Sequence, residues 1–147
     1  MILSKTNDNT RITDNFRLIE LYRSVEAEKL GIGNKIPTQE ILDNLENICI
    51  KILEPLRKKI GFPIMITSGY RGELLNSRIG GSKNSQHMKG EAVDFICQNN
   101  RRAFEIIKES FVFDQLIWEK GDEKQPKWVH VSLKKESEKN RKQIIYI

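Results

Sequence analysis

The chain has 147 residues, 38% hydrophobic and 31% charged, with a formal net charge of +5. That length suits one domain that buries its own core without disulfide staples. No repeat, low-complexity tract or apolar run near the ~20 residues of a membrane-spanning helix is present, which excludes fibrous, disordered and helical membrane classes.

The basic excess favours an anionic partner. It is scattered, however, in short clusters such as Arg57-Lys58-Lys59, Arg101-Arg102 and Lys134-Lys135. Few aromatics are interleaved with them as a base-stacking platform requires, so neither nucleic acid nor membrane is an expected partner. Cys49 and Cys97 are far apart, form no CxxC pair, and read as reduced, buried packing residues.

Residues 1–15 are polar and read as a flexible N-terminal segment, leaving 16–147 as a single domain. Residues 16–19 suit a short extended piece, after which Ser24 would cap a helix over Val25–Leu30, stopped by Gly31 and Gly33. One continuous helix is the alternative, and periodicity does not choose between them. Thr38 caps the clearest helix. Its stripe is Ile41, Leu42, Leu45, Ile48, Cys49, Ile52, Leu53, Leu56 and Ile60, mostly at steps of three and four. Pro55 predicts a kink or restart, and Gly61 a stop.

Residues 63–68 are nearly all apolar and predict a central strand covered on both faces. Gly69-Tyr70-Arg71-Gly72 turns out of it, 73–78 suits a helical turn, and 80–84 a flexible loop. Residues 92–96 predict a second buried strand. Asn99 or Asn100 caps a helix through Lys108, and 113–119 predict a third strand. A polar loop over 120–127 leads to an alternating strand, Trp128-Val129-His130-Val131-Ser132-Leu133, and Ile144-Ile145-Tyr146-Ile147 reads as a small closing strand. Helices first and antiparallel strands later make an α+β fold, with N-terminal helices packed on a small, mainly antiparallel sheet.

The chemistry concentrates in Ser85-Gln86-His87-Met88-Lys89-Gly90-Glu91-Ala92-Val93-Asp94, which holds one of only two histidines. His87, Asp94 and the second histidine, His130, make two imidazoles and a carboxylate. That is the donor set of a catalytic zinc site with an open fourth position. If the third and fourth strands form a hairpin with Ile117 opposite His130, Glu119 falls opposite Trp128, on the face of His130. Diagonal neighbours on one face lie roughly 7–8 Å apart, a distance from which a carboxylate can take the proton of an attacking water. Arg71, in the turn after a strand, suits a substrate carboxylate or an oxyanion. Ser85 and Gln86 suit hydrogen bonds to substrate or to His87. The bland readings are an exposed turn arginine, loop solvation, and a strand-end charge at Glu119.

These stretches, with Ile66-Thr67-Ser68-Gly69-Tyr70-Arg71, Leu75-Asn76, Gly80-Gly81-Ser82 and Phe113-Asp114-Gln115-Leu116-Ile117-Trp118-Glu119, resemble the zinc D-Ala-D-Ala carboxypeptidase family. Within it, they are similar to the murein peptidases common in phages and prophages. The likeness runs from about Phe16 onward and takes in Gly31-Ile32-Gly33-Asn34 and Leu53-Glu54-Pro55-Leu56-Arg57. It implies the α+β fold shared with the Hedgehog signalling domain, and zinc (Zn2+) held by His87, Asp94 and His130. It further implies that Arg71 contacts substrate or stabilises an oxyanion and that Ser85 helps hold the substrate.

The activity implied is that of a zinc metallopeptidase cleaving peptidoglycan stem peptides by metal-activated water. It would be a D,D-carboxypeptidase or an endolysin-type endopeptidase. Many members carry an acidic base three positions before the last ligand; here that position is Lys127. Glu119 is the candidate in its place, with Asp122 and Glu123 behind it. The alternative is a catalytically inactive, zinc-containing wall-binding or phage structural module, with Lys127 marking the loss. A monomer is expected. Met1-Ile2-Leu3-Ser4-Lys5 lacks the pattern of a secretory signal. Synthesis in a cytoplasm is therefore expected, with release to the wall by a phage lysis system.

Overall fold

The computed structural model describes residues 1–147. The element order is β1 (Arg11–Thr13), β2 (Phe16–Arg17), α1 (Val25–Leu30), α2 (Gln39–Ile48), α3 (Glu54–Ile60), β3 (Ile64–Ser68), α4 (Glu73–Arg78), β4 (Ala92–Cys97), α5 (Asn100–Ser110), β5 (Gln115–Glu119), β6 (Trp128–Ser132) and β7 (Gln143–Tyr146). Five strands form one sheet in the order β3-β4-β6-β5-β7, and β1-β2 form a separate two-stranded ribbon. The fold is α+β. No helix is long and apolar enough to cross a membrane.

Local chemistry sets most boundaries. The Ser24 side chain accepts the Ala27 N–H, and α1 ends at Gly31 in the left-handed region, so the chain from 16 to 30 is not one helix. Thr38 accepts the Ile41 N–H at the start of α2. Asn99, not Asn100, caps α5 by accepting from the Arg102 N–H. Between α2 and α3, Cys49–Leu53 widens into a π-turn, with the Glu54 N–H bonded to the Cys49 carbonyl. Pro55 is the cause: it has no N–H for the carbonyl of residue 51, and its ring crowds that carbonyl, so the preceding turn opens. The stripe stays buried across this change; Leu42, Leu45, Ile48, Cys49, Ile52, Leu53 and Leu56 are all solvent-inaccessible.

The sheet has two unlike faces. Val93, Phe95, Leu116, Trp118, Val129 and Val131 turn inward and join the α2–α3 stripe and Phe104 and Ile107 of α5 in one core. The alternate residues, Asp94, Ile117, Glu119, Trp128 and His130, face a cleft. The ladders are antiparallel except for β7, which runs parallel to β5.

Two expectations need correction. β3 is not central but an edge strand, and it is covered on one face only: Met65 is 58% exposed while Ile64 and Ile66 are buried. An apolar run reports burial on both faces only if the middle residue faces protein, and here it faces away. Cys97, the last residue of β4, is a free thiol but only half-buried; Cys49 is free and fully buried.

The boundary expected at residue 16 falls within the β1–β2 ribbon, whose register pairs Arg11 with Arg17 and Thr13 with Phe16. This ribbon is tied down by Glu54 at the start of α3. Its carboxylate accepts from the Asn15 backbone N–H at 2.6 Å and from Asn15 Nδ2 at 2.7 Å. Burial works to raise the pKa of Glu54, but the two Asn15 bonds, aided by the charge of Lys58, help hold it below the ordinary value.

Glu54→Ala is expected to cost about 2–3 kcal/mol in urea unfolding at pH 7, the scale of two charge-assisted bonds lost together. Because the native pKa lies below the unfolded one, this contribution is complete above about pH 4.5 and is lost as the pH falls through the native value. The gap between variant and parent should therefore close in acid.

Candidate metal centre

Three elements deliver the candidate ligands. Asp94 in mid-β4 stands directly opposite His130 in mid-β6. His87 comes from a 3-10 turn, Gln86–Lys89, between α4 and β4. That turn is seated by its ends. The Ser85 Oγ accepts the His87 N–H at 3.2 Å. Gly90 holds φ +73°, and a Cβ there would sit 2.6 Å from the Ile41 carbonyl oxygen of α2. Only glycine tolerates both conditions.

A β-bulge in β3 sets the fourth wall. Ile66 pairs with Phe95 and Ser68 with Asp94, so Thr67 is the extra residue. Gly69, just after the strand ends at Ser68, passes so close to Leu21 that a Cβ would lie 2.2 Å from its carbonyl oxygen. There its own carbonyl accepts from His87 Nδ1 at 2.8 Å. A carbonyl can only accept, so the ring proton sits on Nδ1 and the Nε2 lone pair is free.

That Nε2 is buried and has no hydrogen-bond donor to face. It lies 3.4 Å from Asp94 Oδ1, and His130 Nδ1 lies 2.9 Å from the same oxygen. One donor atom from each of the three residues falls within 4.8 Å of the others. Ligands ~2.1 Å from a tetrahedral zinc are separated by roughly 3.4 Å, and the two spacings to Asp94 Oδ1 are close to that value. The chemistry fits as well: a lone pair held against a carboxylate in the interior is unfavourable unless a cation lies between them.

The electrostatics point the same way. Burial pushes the His87 imidazole below its ordinary pKa, against the pull of Asp94, and keeps it neutral. Burial would raise Asp94, but contact with His130 and then His87 holds its carboxyl far below the usual range. A neutral imidazole and an ionised carboxylate are the protonation states that bind metal.

The cleft above these residues measures about 980 Å³, and only three of its twenty lining residues are hydrophobic. Arg71, Ser85, Gln86 and Glu119 all line it. Burial lowers the pKa of Arg71, with Asp94 opposing. Its Nη1 donates to Asn76 Oδ1 at 3.3 Å, while its Nε is buried without a partner. Gln86 Nε2 donates to Asp114 at 3.1 Å.

The β5–β6 register has Ile117 opposite His130 and Glu119 opposite Trp128, the pairing supposed for the hairpin. Burial raises the pKa of Glu119 and Asp94 adds to it, against His130 and Lys120. Asp122 and Glu123 do not line this cleft; the Asp122 carboxylate accepts instead from the N–H groups of Lys124 and Gln125 in its own loop. Lys127 is exposed and off the cleft, and its backbone N–H closes the hairpin on the Glu119 carbonyl.

Some of the scaffold was not foreseen. Asn34 donates to the carbonyls of Tyr22 and Tyr70 and accepts the Gly72 N–H, which fixes the Arg71 turn on both sides. Asn76 holds the Arg71 guanidinium and the Ser82 carbonyl together. Both lie in stretches that carry the family resemblance, and that was the only sequence signal for them.

Zinc at a free concentration a hundredfold above its Kd should stabilise the fold by about 2.7 kcal/mol. His87→Ala should lose this increment, read as an absent zinc-dependent shift in thermal unfolding.

No curated protein matches the chain significantly. A family model described as Peptidase M15 matches residues 14–132, which contain all three candidate ligands, Arg71 and Glu119. M15 peptidases are zinc-dependent metallopeptidases. With most of its length matched, the chain belongs to the Peptidase M15 family.

Proposed function

We propose that this M15 chain is a zinc-dependent peptidase that cleaves the peptide stems of peptidoglycan, as a D,D-carboxypeptidase or an endolysin-type murein endopeptidase. Residues 16–147 would form its single catalytic domain. One observation carries the reading: a buried, unpartnered His87 Nε2 converges with Asp94 and His130 on the floor of a polar cleft. Such a lining suits a hydrophilic peptide better than an apolar ligand.

His87, Asp94 and His130 would hold the metal. Zinc bound there supplies Lewis acidity toward a peptide carbonyl and makes water acidic enough to attack at neutral pH. The Gly69 carbonyl keeps the His87 proton on Nδ1 and leaves Nε2 free to ligate. Arg71 lines the cleft and offers its guanidinium to the carbonyl oxygen as negative charge develops there. Glu119, raised in pKa and on the His130 face of the sheet, takes the proton of the attacking water and passes it to the leaving nitrogen. Ser85 and Gln86 line the same wall and hold the peptide by hydrogen bonds.

Purified protein incubated with murein should release fragments, and a chelator should abolish the release. Mass spectrometry then separates loss of a terminal D-alanine from opening of an internal bond. Glu119→Gln is expected to lower turnover by roughly 10²–10⁴ without altering zinc affinity. Undiminished turnover would remove Glu119 from the mechanism.

A further inference from the structure

One group of charges beside the cleft is not used by this chemistry. Asp114, just before β5, is completely buried, yet burial is outweighed and its carboxyl is held down to about 2. The cause is Arg141. Its Nε and Nη2 donate to the two carboxylate oxygens at 3.1 and 2.7 Å, and its backbone N–H adds a third bond at 2.9 Å. Lys134 Nζ stands 3.9 Å from the same carboxylate. Gln86, next in sequence to the candidate ligand His87, donates to it from the cleft side at 3.1 Å.

A buried carboxylate gripped on both oxygens fixes the plane of the guanidinium. Arg141 Nη1 is left with no partner in the protein, its side chain is 52% exposed, and it lines the cleft. Asp114 carries one negative charge against the positive charges of Arg141 and Lys134. Glu91 and Lys89, also nearby, add one of each sign. The group therefore keeps a net positive charge. An arginine needed only as a brace has no reason to present its remaining N–H groups to a substrate cleft.

From this geometry we infer that Arg141, oriented by Asp114 and shared with Gln86, is a subsite for a free carboxylate of the bound peptide, separate from Arg71. It lies outside the residues matched by the family model. The inference rests on the peptidase reading for its ligand. A stem peptide offers two such groups: the α-carboxylate of a γ-linked D-glutamate and the chain-terminal carboxylate. Recognition by a fixed guanidinium would sort acid from amide at one of them, since an amide offers a single neutral acceptor.

The test uses three synthetic stem pentapeptides: one with both carboxylates free, one amidated at the γ-linked glutamate, and one amidated at the terminus. Cleavage and calorimetric binding are measured for the parent, Arg141→Gln and Arg141→Lys. The parent should prefer the free acid over one of the two amides by roughly ten- to hundredfold in KM or Kd. Arg141→Gln should erase that preference with kcat little changed, and Arg141→Lys should restore only part of it. Which amide suffers identifies the carboxylate. Equal loss on all three peptides would show a structural brace and overturn the subsite, as would an unchanged preference. Cleavage by a parent indifferent to amidation would sink the subsite alone. Binding with an Arg141-dependent preference but no cleavage would sink the peptidase reading and keep the subsite. Neither binding nor cleavage by the parent would sink both.

Discussion

Asp94 and His130 stand opposite each other on β4 and β6, and a slip of one residue in that ladder would turn one of them away from the cleft. The alternation that brings them together also drives Val93, Phe95, Val129 and Val131 into the core on the other face, all fully buried. Burying four such side chains is worth several kcal/mol, at about 1.5–3 kcal/mol each. A slipped register would expose them. The hydrophobic face thus locks the polar one, and the ligand pair needs no dedicated support.

His87 has no such lock, since it lies on a short turn rather than a strand. Its position depends on backbone contacts from elsewhere in the chain: the Gly69 carbonyl on its ring and the seat of Gly90 against Ile41. The first depends on Gly69 pressing against Leu21, and the second on α2. The N-terminal half supplies none of the candidate ligands, yet it sets the angle of one. Asn34 does the same for the Arg71 turn, through three backbone bonds.

What could be read from the sequence divides along physical lines. The Ser24 and Thr38 caps, the stop at Gly61 and the disturbance before Pro55 are local chemistry, written within a few residues of where they act. In the sequence the β5–β6 register could only be supposed, since Leu116-Ile117-Trp118 are three consecutive buried apolar residues and do not alternate; the alternation of β6 alone put His130 and Trp128 on one face. The place of β3 in the sheet was not legible. Ile64-Met65-Ile66 has the same composition at an edge as at a centre, and only the fold decides which neighbours exist. The grip of Arg141 on Asp114, 27 residues apart, was equally invisible: in the sequence it is one more charge near the end of a basic chain.

The edge position of β3 bears on how copies of the chain meet. A free strand edge is a template for another strand, and a flat, long one invites fibres. This one is five residues long, preceded by Pro63, which has no N–H to offer, and bent by the bulge at Thr67. The row of free donors and acceptors left between them is short and interrupted by the bulge. The distortion that aims the Gly69 carbonyl at His87 thus also shortens the run of edge that another strand could pair with.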